Sequence, residues 1–269
     1  MARKRSDKVL VVKVDAVDGE VRLRRVPDDL VVEEPMTIQL DGHVVSTTMR
    51  TPGHDYELAV GLCHGDGLLA GAPVTAVRYC ANGSASDGNF NVVTVETGGR
   101  APTPTPRLGT TSSSCGVCGT ENIDELASRL SPLPIDRLVA FDPAVVVAVP
   151  ASVRALQPLF ETTGAVHAAA VFDERGEVSL VREDVGRHNA VDKVVGALLL
   201  EGRLPAHGSG LFVSGRASFE MVQKAWAAGI GTVVSVSAPT ALAVQTAIRG
   251  GITLYGFARD TQMVRYSPN

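Results

Sequence analysis

The sequence has no second Cys-x-x-Cys pair, no Gly-Lys-Ser/Thr loop ending, no internal repeat and no apolar run near the roughly 20 residues that span a bilayer. Each absence removes a class of protein. Without an apolar span there is no membrane partner, and without the Walker ending there is no P-loop nucleotide site. Positive charge is also scarce. Lysine and arginine total 25 against 29 acidic residues, a net charge of −4, which gives no case for a nucleic-acid partner. The short basic start Arg3-Lys4-Arg5 reads as a frayed tail. Residues 8–14 are too short and too strand-like for a signal peptide, so the expected compartment is the cytoplasm. Stable disulfides are uncommon there, which turns a Cys-x-x-Cys pair toward metal binding or redox and sulfur chemistry.

What is present is a globular composition, 45% apolar and 20% charged over 269 residues, long enough for one large domain or two modest ones. The first hundred residues read as β. Val9–Val14 and Val21–Arg25 flank the turn Asp18-Gly19, and Met36–Leu40 and Val44–Met49 flank Asp41-Gly42, a pair suited to the positive φ angles of a tight hairpin turn. Asp55–Leu62 is a short helix, and 75–80 with 90–97 form a further hairpin around 82–88. Residues 98–114 hold three prolines and three glycines without hydrophobic periodicity and read as a connector or a surface loop. Helices follow at Asn122–Leu130 and Ala151–Phe160, then a hairpin of Ala165–Phe172 and Val178–Val181. From Val191 strands and helices alternate: helix to Leu200, strand Gly210–Val213, helix Phe219–Ala228, strand Thr232–Val236, helix Ala241–Ile248, strand Ile252–Phe257. That alternation predicts parallel crossovers, and hence an α/β fold: a mixed β-sheet with flanking helices in 110–269 and a β-rich region in 1–109.

Chemistry concentrates in a few loops. Thr110 to Gly119 places Cys115 and Cys118, each followed by glycine, after five consecutive hydroxyl residues. A structural zinc site needs four ligands, and the remaining Cys63 and Cys80 are unpaired and read as buried structural thiols. A nucleobase deaminase pairs its Cys-x-x-Cys with an upstream His-x-Glu, whereas His167-Ala168-Ala169 lies downstream and lacks the glutamate. A thioredoxin-like pair starts a helix after an early strand, which does not match. A sulfur carrier, whose thiolate must be accessible and free to move, fits better. Glu183 to Asn189 packs two acids, Arg187, His188 and an asparagine at a helix entry, either an anion and proton-transfer site or a capped helix start. Ser214-Gly215-Arg216-Ala217-Ser218 after a strand suits a phosphate or an ordinary turn. Ser235 to Thr240 reads as a cap for the next helix.

These motifs together resemble the FdhD family of formate dehydrogenase accessory sulfurtransferases. The resembling stretches are Arg50-Thr51-Pro52-Gly53, Ser114-Cys115-Gly116-Val117-Cys118-Gly119, Glu183 to Lys193, Ser214-Gly215-Arg216-Ala217-Ser218-Phe219-Glu220 and Ile252 to Phe257. The resemblance implies a cytidine deaminase-like fold, a homodimer, and a carrier of few turnovers. Such a carrier takes persulfide sulfur from a cysteine desulfurase and passes it to the bis(molybdopterin guanine dinucleotide) molybdenum cofactor for the catalytic subunit of formate dehydrogenase. Cys115 would bear the persulfide and Cys118 assist; Ile252, Thr253, Leu254, Tyr255, Gly256 and Phe257 would hold the cofactor, with GDP or GMP a partial mimic. From loop position and residue type, Arg187, His188, Ser214, Gly215 and Arg216 are added to that cofactor site. No residue is assigned to a metal of the protein's own. The segment Leu62-Cys63-His64-Gly65-Asp66-Gly67 departs from the family pattern in being polar. A zinc-binding chaperone for the apo-enzyme, without sulfur transfer, is the competing reading.

Overall fold

The computed structural model describes residues 4–79, 91–104 and 119–267, with 119–122 described by backbone alone. Cys80, Cys115, Cys118, the turn at 82–88 and most of the connector at 98–114 lie outside the described residues. Three sheets are present. A ribbon pairs β1 (Ser6–Val17) with β2 (Glu20–Val31), Ser6 opposite Val31 and Val17 opposite Glu20. Asp18 and Gly19 close it at φ 52° and 84°, so the expected hairpin is real and several residues longer than its β-branched runs. Leu10, Val12, Val14, Val21 and Leu23 face solvent on this ribbon.

The second sheet has the order β4-β3-β6-β5, from β3 (Glu34–Leu40), β4 (His43–Arg50), β5 (Ala76–Tyr79) and β6 (Val92–Glu96), with helix α1 (Asp55–Gly65) joining its two halves. Asp41-Gly42 makes the expected turn at φ 47° and 86°, and β5 pairs antiparallel with β6 as expected. Its core is Met36, Ile38, Leu40, Leu58, Leu62, Cys63, Val93 and Val95. Cys63 is the buried thiol foreseen; burial, with Asp66 and Asp192 nearby, pushes it up to about 12.

The third sheet has the order β12-β11-β10-β9-β7-β8. Chain order is α2 (Gly119–Arg129), α3 (Pro143–Arg154), α4 (Pro158–Thr163), β7 (His167–Phe172), β8 (Val178–Asp184), α5 (Arg187–Leu200), β9 (Gly210–Val213), α6 (Phe219–Ala227), β10 (Thr232–Ser235), α7 (Ala241–Gly250), β11 (Thr253–Arg259) and β12 (Gln262–Arg265). β9, β10 and β11 are parallel through α6 and α7, as the alternation predicts, while β7 joins β9 antiparallel. Helices α5, α6 and α7 cover one face around Val191, Leu198, Leu211, Met221, Trp226 and Leu254; α3 covers the other around Val146, Val149, Phe172, Phe212 and Tyr255.

Three expectations need correction. The helix expected at Ala151–Phe160 is two helices. Asp142 accepts the Ala144 amide at 2.8 Å with Pro143 at the first position, which starts α3 earlier, and Pro158 starts α4. Helix α5 begins at Arg187, four residues before Val191, because Arg187-His188-Asn189 are polar side chains on a helical backbone. Strand β12 was not foreseen, its four residues being too few for a pattern.

Helix α1 crosses α5 backbone to backbone. A Cβ built on Gly61 would stand 1.8 Å from the Asp192 carbonyl oxygen, and one on Gly196 1.8 Å from that of Glu57. Ion pairs flank the crossing. Arg182 grips Glu57 with two bonds (2.5 and 2.8 Å), and Lys224 meets Asp192 at 2.6 Å. The polar run 62–67 is used here too, with His64 Nε2 at 2.9 Å from the Ala227 carbonyl and Gln223 donating to Gly65 at 3.0 Å.

Candidate functional site

The large sheet brings six chain segments to one edge. Strands β8, β9, β10 and β11 end there, and β7 and β12, running the other way, begin there. Open α/β sheets place ligands at this carboxyl edge, where helix N-termini also point. Hydrogen bonds join the loops into one rim. Ser235 Oγ donates to the Gly215 carbonyl (2.7 Å) or the Ser237 carbonyl (3.0 Å), the Phe257 amide donates to Ser237 O at 3.2 Å, and Thr240 N donates to Ala217 O at 3.0 Å. Thr240 also caps α7 by accepting the Ala243 amide at 3.2 Å, the capping role expected of that loop.

The expected site residues fall into distinct environments. Ile252, Thr253, Leu254 and Tyr255 have buried side chains that belong to the sheet's interior. Gly256 is wedged against Pro239 and Tyr266, whose atoms would lie 2.9 Å from a Cβ there. Phe257 alone of the six presents its side chain, 38% exposed, at φ 51°, a conformation a bulky residue rarely holds. Arg216 points to solvent.

Arg187, His188, Ser214 and Gly215 are drawn together, joined by His167, Ser218 and Glu220. A Cβ on Gly215 would touch Arg187 Cδ and His167 Cε1, each at 3.4 Å, so glycine lets both side chains close on the loop. Ser214 Oγ accepts the Ala168 amide at 2.8 Å and lies 3.3 Å from His167 Nδ1. Burial pushes the His167 imidazole below its usual range, and the charges of Arg187 and His188 act in the same direction. His188 Nε2 lies 3.7 Å from Glu220, and this neighbour, helped by Ser218 and the Glu220 amide and opposed by partial burial, holds the Glu220 carboxyl at about 2. A cavity of about 480 Å³ opens beside the cluster, with His167, Ser214, Val185, Arg154 and Phe160 in its wall.

Glu183, Asp184 and Asn189, by contrast, serve structure. Glu183 accepts the Leu159 and Phe160 amides at the start of α4 (3.1 and 2.8 Å). Asp184, fully buried, pairs with Lys193 at 2.7 Å and accepts from Thr51, Gly186 and Asn189. This network fixes the turn that presents Arg187 and His188. The sequence reading left out His167, Ser218 and Glu220 as site residues, although Ser218 and Glu220 stand inside the motif beginning at Ser214.

A family model described as the FdhD/NarQ family matches residues 31–269. The chain belongs to the FdhD/NarQ family. The match includes Cys115, Cys118 and every residue of the rim, and begins at the end of β2. A relative from Corynebacterium efficiens is 42% identical over 96% of this chain and 95% of its own, and one from Mycolicibacterium paratuberculosis is 46% identical over 90% of both; each is named sulfur carrier protein FdhD. A crystal structure described as a formate dehydrogenase accessory protein from Desulfotalea psychrophila superposes with TM-score 0.73 over 97% of both chains at 24% identity, a likeness of fold. Among the described residues no helix is long and apolar enough to cross a membrane.

Proposed function

We propose that this protein is a sulfur carrier acting as a sulfurtransferase. In this reading the Cys115 thiolate attacks the outer sulfur of a cysteine desulfurase persulfide. The sulfur–sulfur bond breaks, the desulfurase thiolate leaves, and Cys115 holds the sulfur as its own persulfide, with no net oxidation. Cys118 assists, and the sulfur goes on to the bis(molybdopterin guanine dinucleotide) molybdenum cofactor destined for the catalytic subunit of formate dehydrogenase. The carrier works in the cytoplasm as a homodimer. The observation that carries the reading is the family membership, with relatives named sulfur carriers at 42 and 46% identity over nearly whole chains.

The rim supports the second half of the reading. The cofactor is cargo and brings two pyrophosphates and two guanines. Arginine and helix N-termini suit the former. The half-exposed Phe257 suits stacking against the latter. Gly256 gives close backbone approach at the same loop. We keep residues 1–109 and 110–269 as a β-rich region and a region carrying the cysteines and the cofactor site.

Intact-protein mass spectrometry after incubation with desulfurase and cysteine tests this. One added sulfur mapped to Cys115 is expected, lost in Cys115→Ala and retained in part in Cys118→Ala. Equal labelling in Cys115→Ala overturns the assignment. Stoichiometric zinc with no labile sulfur would favour the zinc-binding chaperone instead.

A further inference from the structure

The ribbon of β1 and β2 carries an apolar face that the described chain leaves open. Directly opposite residues of an antiparallel pair share a face. The register sets Leu10 opposite Pro27, Val12 opposite Arg25, Val14 opposite Leu23 and Ala16 opposite Val21. Leu10, Val12, Val14, Val21 and Leu23 of this face are 54–68% exposed. The other face is polar toward the turn, with Lys13 opposite Arg24, Asp15 opposite Arg22, and Arg24 donating to Asp15 at 2.8 Å. An alternation of this kind belongs to strands with one side buried and one in water. From Lys13 to Arg25, however, every residue is exposed except the half-buried Asp15. The ribbon meets the rest of the chain where β2 packs against α4. A two-stranded ribbon without a covered face is marginal in water, so this one calls for a cover from outside the chain.

We propose that the ribbon is a dimerisation arm, each copy of the chain laying the apolar face of its ribbon across the body of the other. The proposal rests on the homodimer of the preceding reading and names the surface that builds it. Area decides the arrangement. Twelve residues in each strand make a face about 40 Å long and about 10 Å wide, or about 400 Å². Ribbon laid on ribbon would bury about 800 Å² in total, the size of an incidental contact. Two reciprocal arms, each covering an equal area of the partner, bury about 1,600 Å², the size of a specific and stable interface. Charge argues against other occupants. Residues 6–31 hold five basic and six acidic side chains, so the ribbon has no positive excess to seek anionic lipid or nucleic acid. A second copy is also present wherever the chain is, and two-fold pairing covers both arms at once. The family match begins at Val31, the last residue of β2, so the arm is not among the features that membership brings.

The test is sedimentation equilibrium of the full-length protein. A dimer is expected, with its dissociation constant raised about a hundredfold in the double variant Val14→Lys, Leu23→Glu, which loses four apolar contacts per dimer. The two new charges lie opposite each other and pair across the strands, which keeps the ribbon. Should circular dichroism show that this variant has lost structure, Val12→Thr with Val21→Thr decides, with weakening of about tenfold, since threonine keeps the strand and loses the apolar contact. Lys13→Gln, on the polar face, should leave the dimer unchanged. A dimer indifferent to both apolar-face variants, or weakened as much by Lys13→Gln, overturns the arm and leaves the homodimer standing. An unaltered protein that is monomeric overturns both, and its co-sedimentation with phosphatidylglycerol vesicles would give the face to a lipid surface instead. Carbodiimide cross-linking of mixed nitrogen-isotope-labelled and unlabelled protein should join Lys13 to carboxylates of the other copy beyond Val31. Links confined to the other ribbon overturn the reciprocal arrangement. Persulfide labelling of Cys115 is scored separately, so its absence in an intact dimer sinks the sulfur reading and leaves the arm.

Discussion

Replacing Gly61 by alanine adds one methyl group where α1 crosses α5. On an isolated helix the change would be favourable by about 1 kcal/mol, since glycine is the poorer helix former. Here the added carbon would stand 1.8 Å from the carbonyl oxygen of Asp192. Ordinary contact needs about 3.5 Å, so the helices must part by about 1.5 Å at this point. The obstacle is backbone, which cannot rotate away as a side chain can. A gap of even 0.5–1 Å forfeits roughly a quarter to a half of the dispersion attraction at a contact. The buried Leu58, Leu62 and Cys63 of α1, and Leu199 of α5 packed on their cluster, would share that loss. With about 1.5–3 kcal/mol for each fully buried apolar side chain, the loss comes to about 4 kcal/mol, or about 3 kcal/mol net of helix propensity. Urea unfolding followed by circular dichroism should show an unchanged slope and a midpoint lower by about 1 M for a slope near 3 kcal/mol/M. Gly196→Ala should behave alike, and the double variant should cost less than the sum, because helices already parted accept the second methyl more cheaply. A midpoint at or above that of the unaltered protein would refute the reasoning. It would mean that the crossing tolerates separation and that helix propensity decides.

Two further perturbations address the ion pairs around the same helices. Burial alone would raise the Glu57 carboxyl, but hydrogen bonds and charge from Arg182 and His54 outweigh it and hold it at about 2, against 4.5 for a free glutamate. A folded value below the unfolded one means stability that is complete above pH 4.5 and lost as pH falls toward 2. Arg182→Met should thus cost about 2 kcal/mol at pH 7, after allowance for solvent screening, and flatten the acid limb between pH 4.5 and 2; an unchanged acid limb would count against the bridge. Lys193→Met should cost about 3 kcal/mol in the same urea assay, because it leaves the Asp184 carboxylate buried without its cation while three other donors remain. A loss under about 1 kcal/mol would show that those donors suffice.

Much of the fold was legible because the signals were local. Asp18-Gly19 and Asp41-Gly42 need only their own backbone to turn, and Thr240 needs only the helix it precedes. The alternation after Val191 carries its parallel topology within a few residues per element. Illegible were features set by distant partners. Proline inside α3, at Pro150, reads as a helix boundary in sequence, yet the helix runs through it between an Asp142 cap and the sheet it covers. The parallel pairing of β3 with β6 joins residues more than fifty positions apart. Gly61 and Gly196 look like weak points of their helices, and only the crossing shows why each is needed.

Arg187 and Arg216 make the same point for the site. Both follow a glycine, both stand just past a strand, and by residue type they were equal candidates for an anion. The structure separates them by what surrounds each glycine. Gly186 sits within a turn held by Asp184, which accepts its amide at 2.8 Å and is anchored by Lys193, so the next residue opens α5 with its stem against Gly215. Gly215 instead gives its carbonyl to Ser235, which orients the loop so that Arg216 leaves the surface. The buried Asp184, which in sequence stood inside the candidate loop, and the Lys193 that anchors it are thus what make Arg187 a site residue: they hold the turn, the turn aims the arginine, and the arginine is left with an Nε donor that nothing in the described chain accepts.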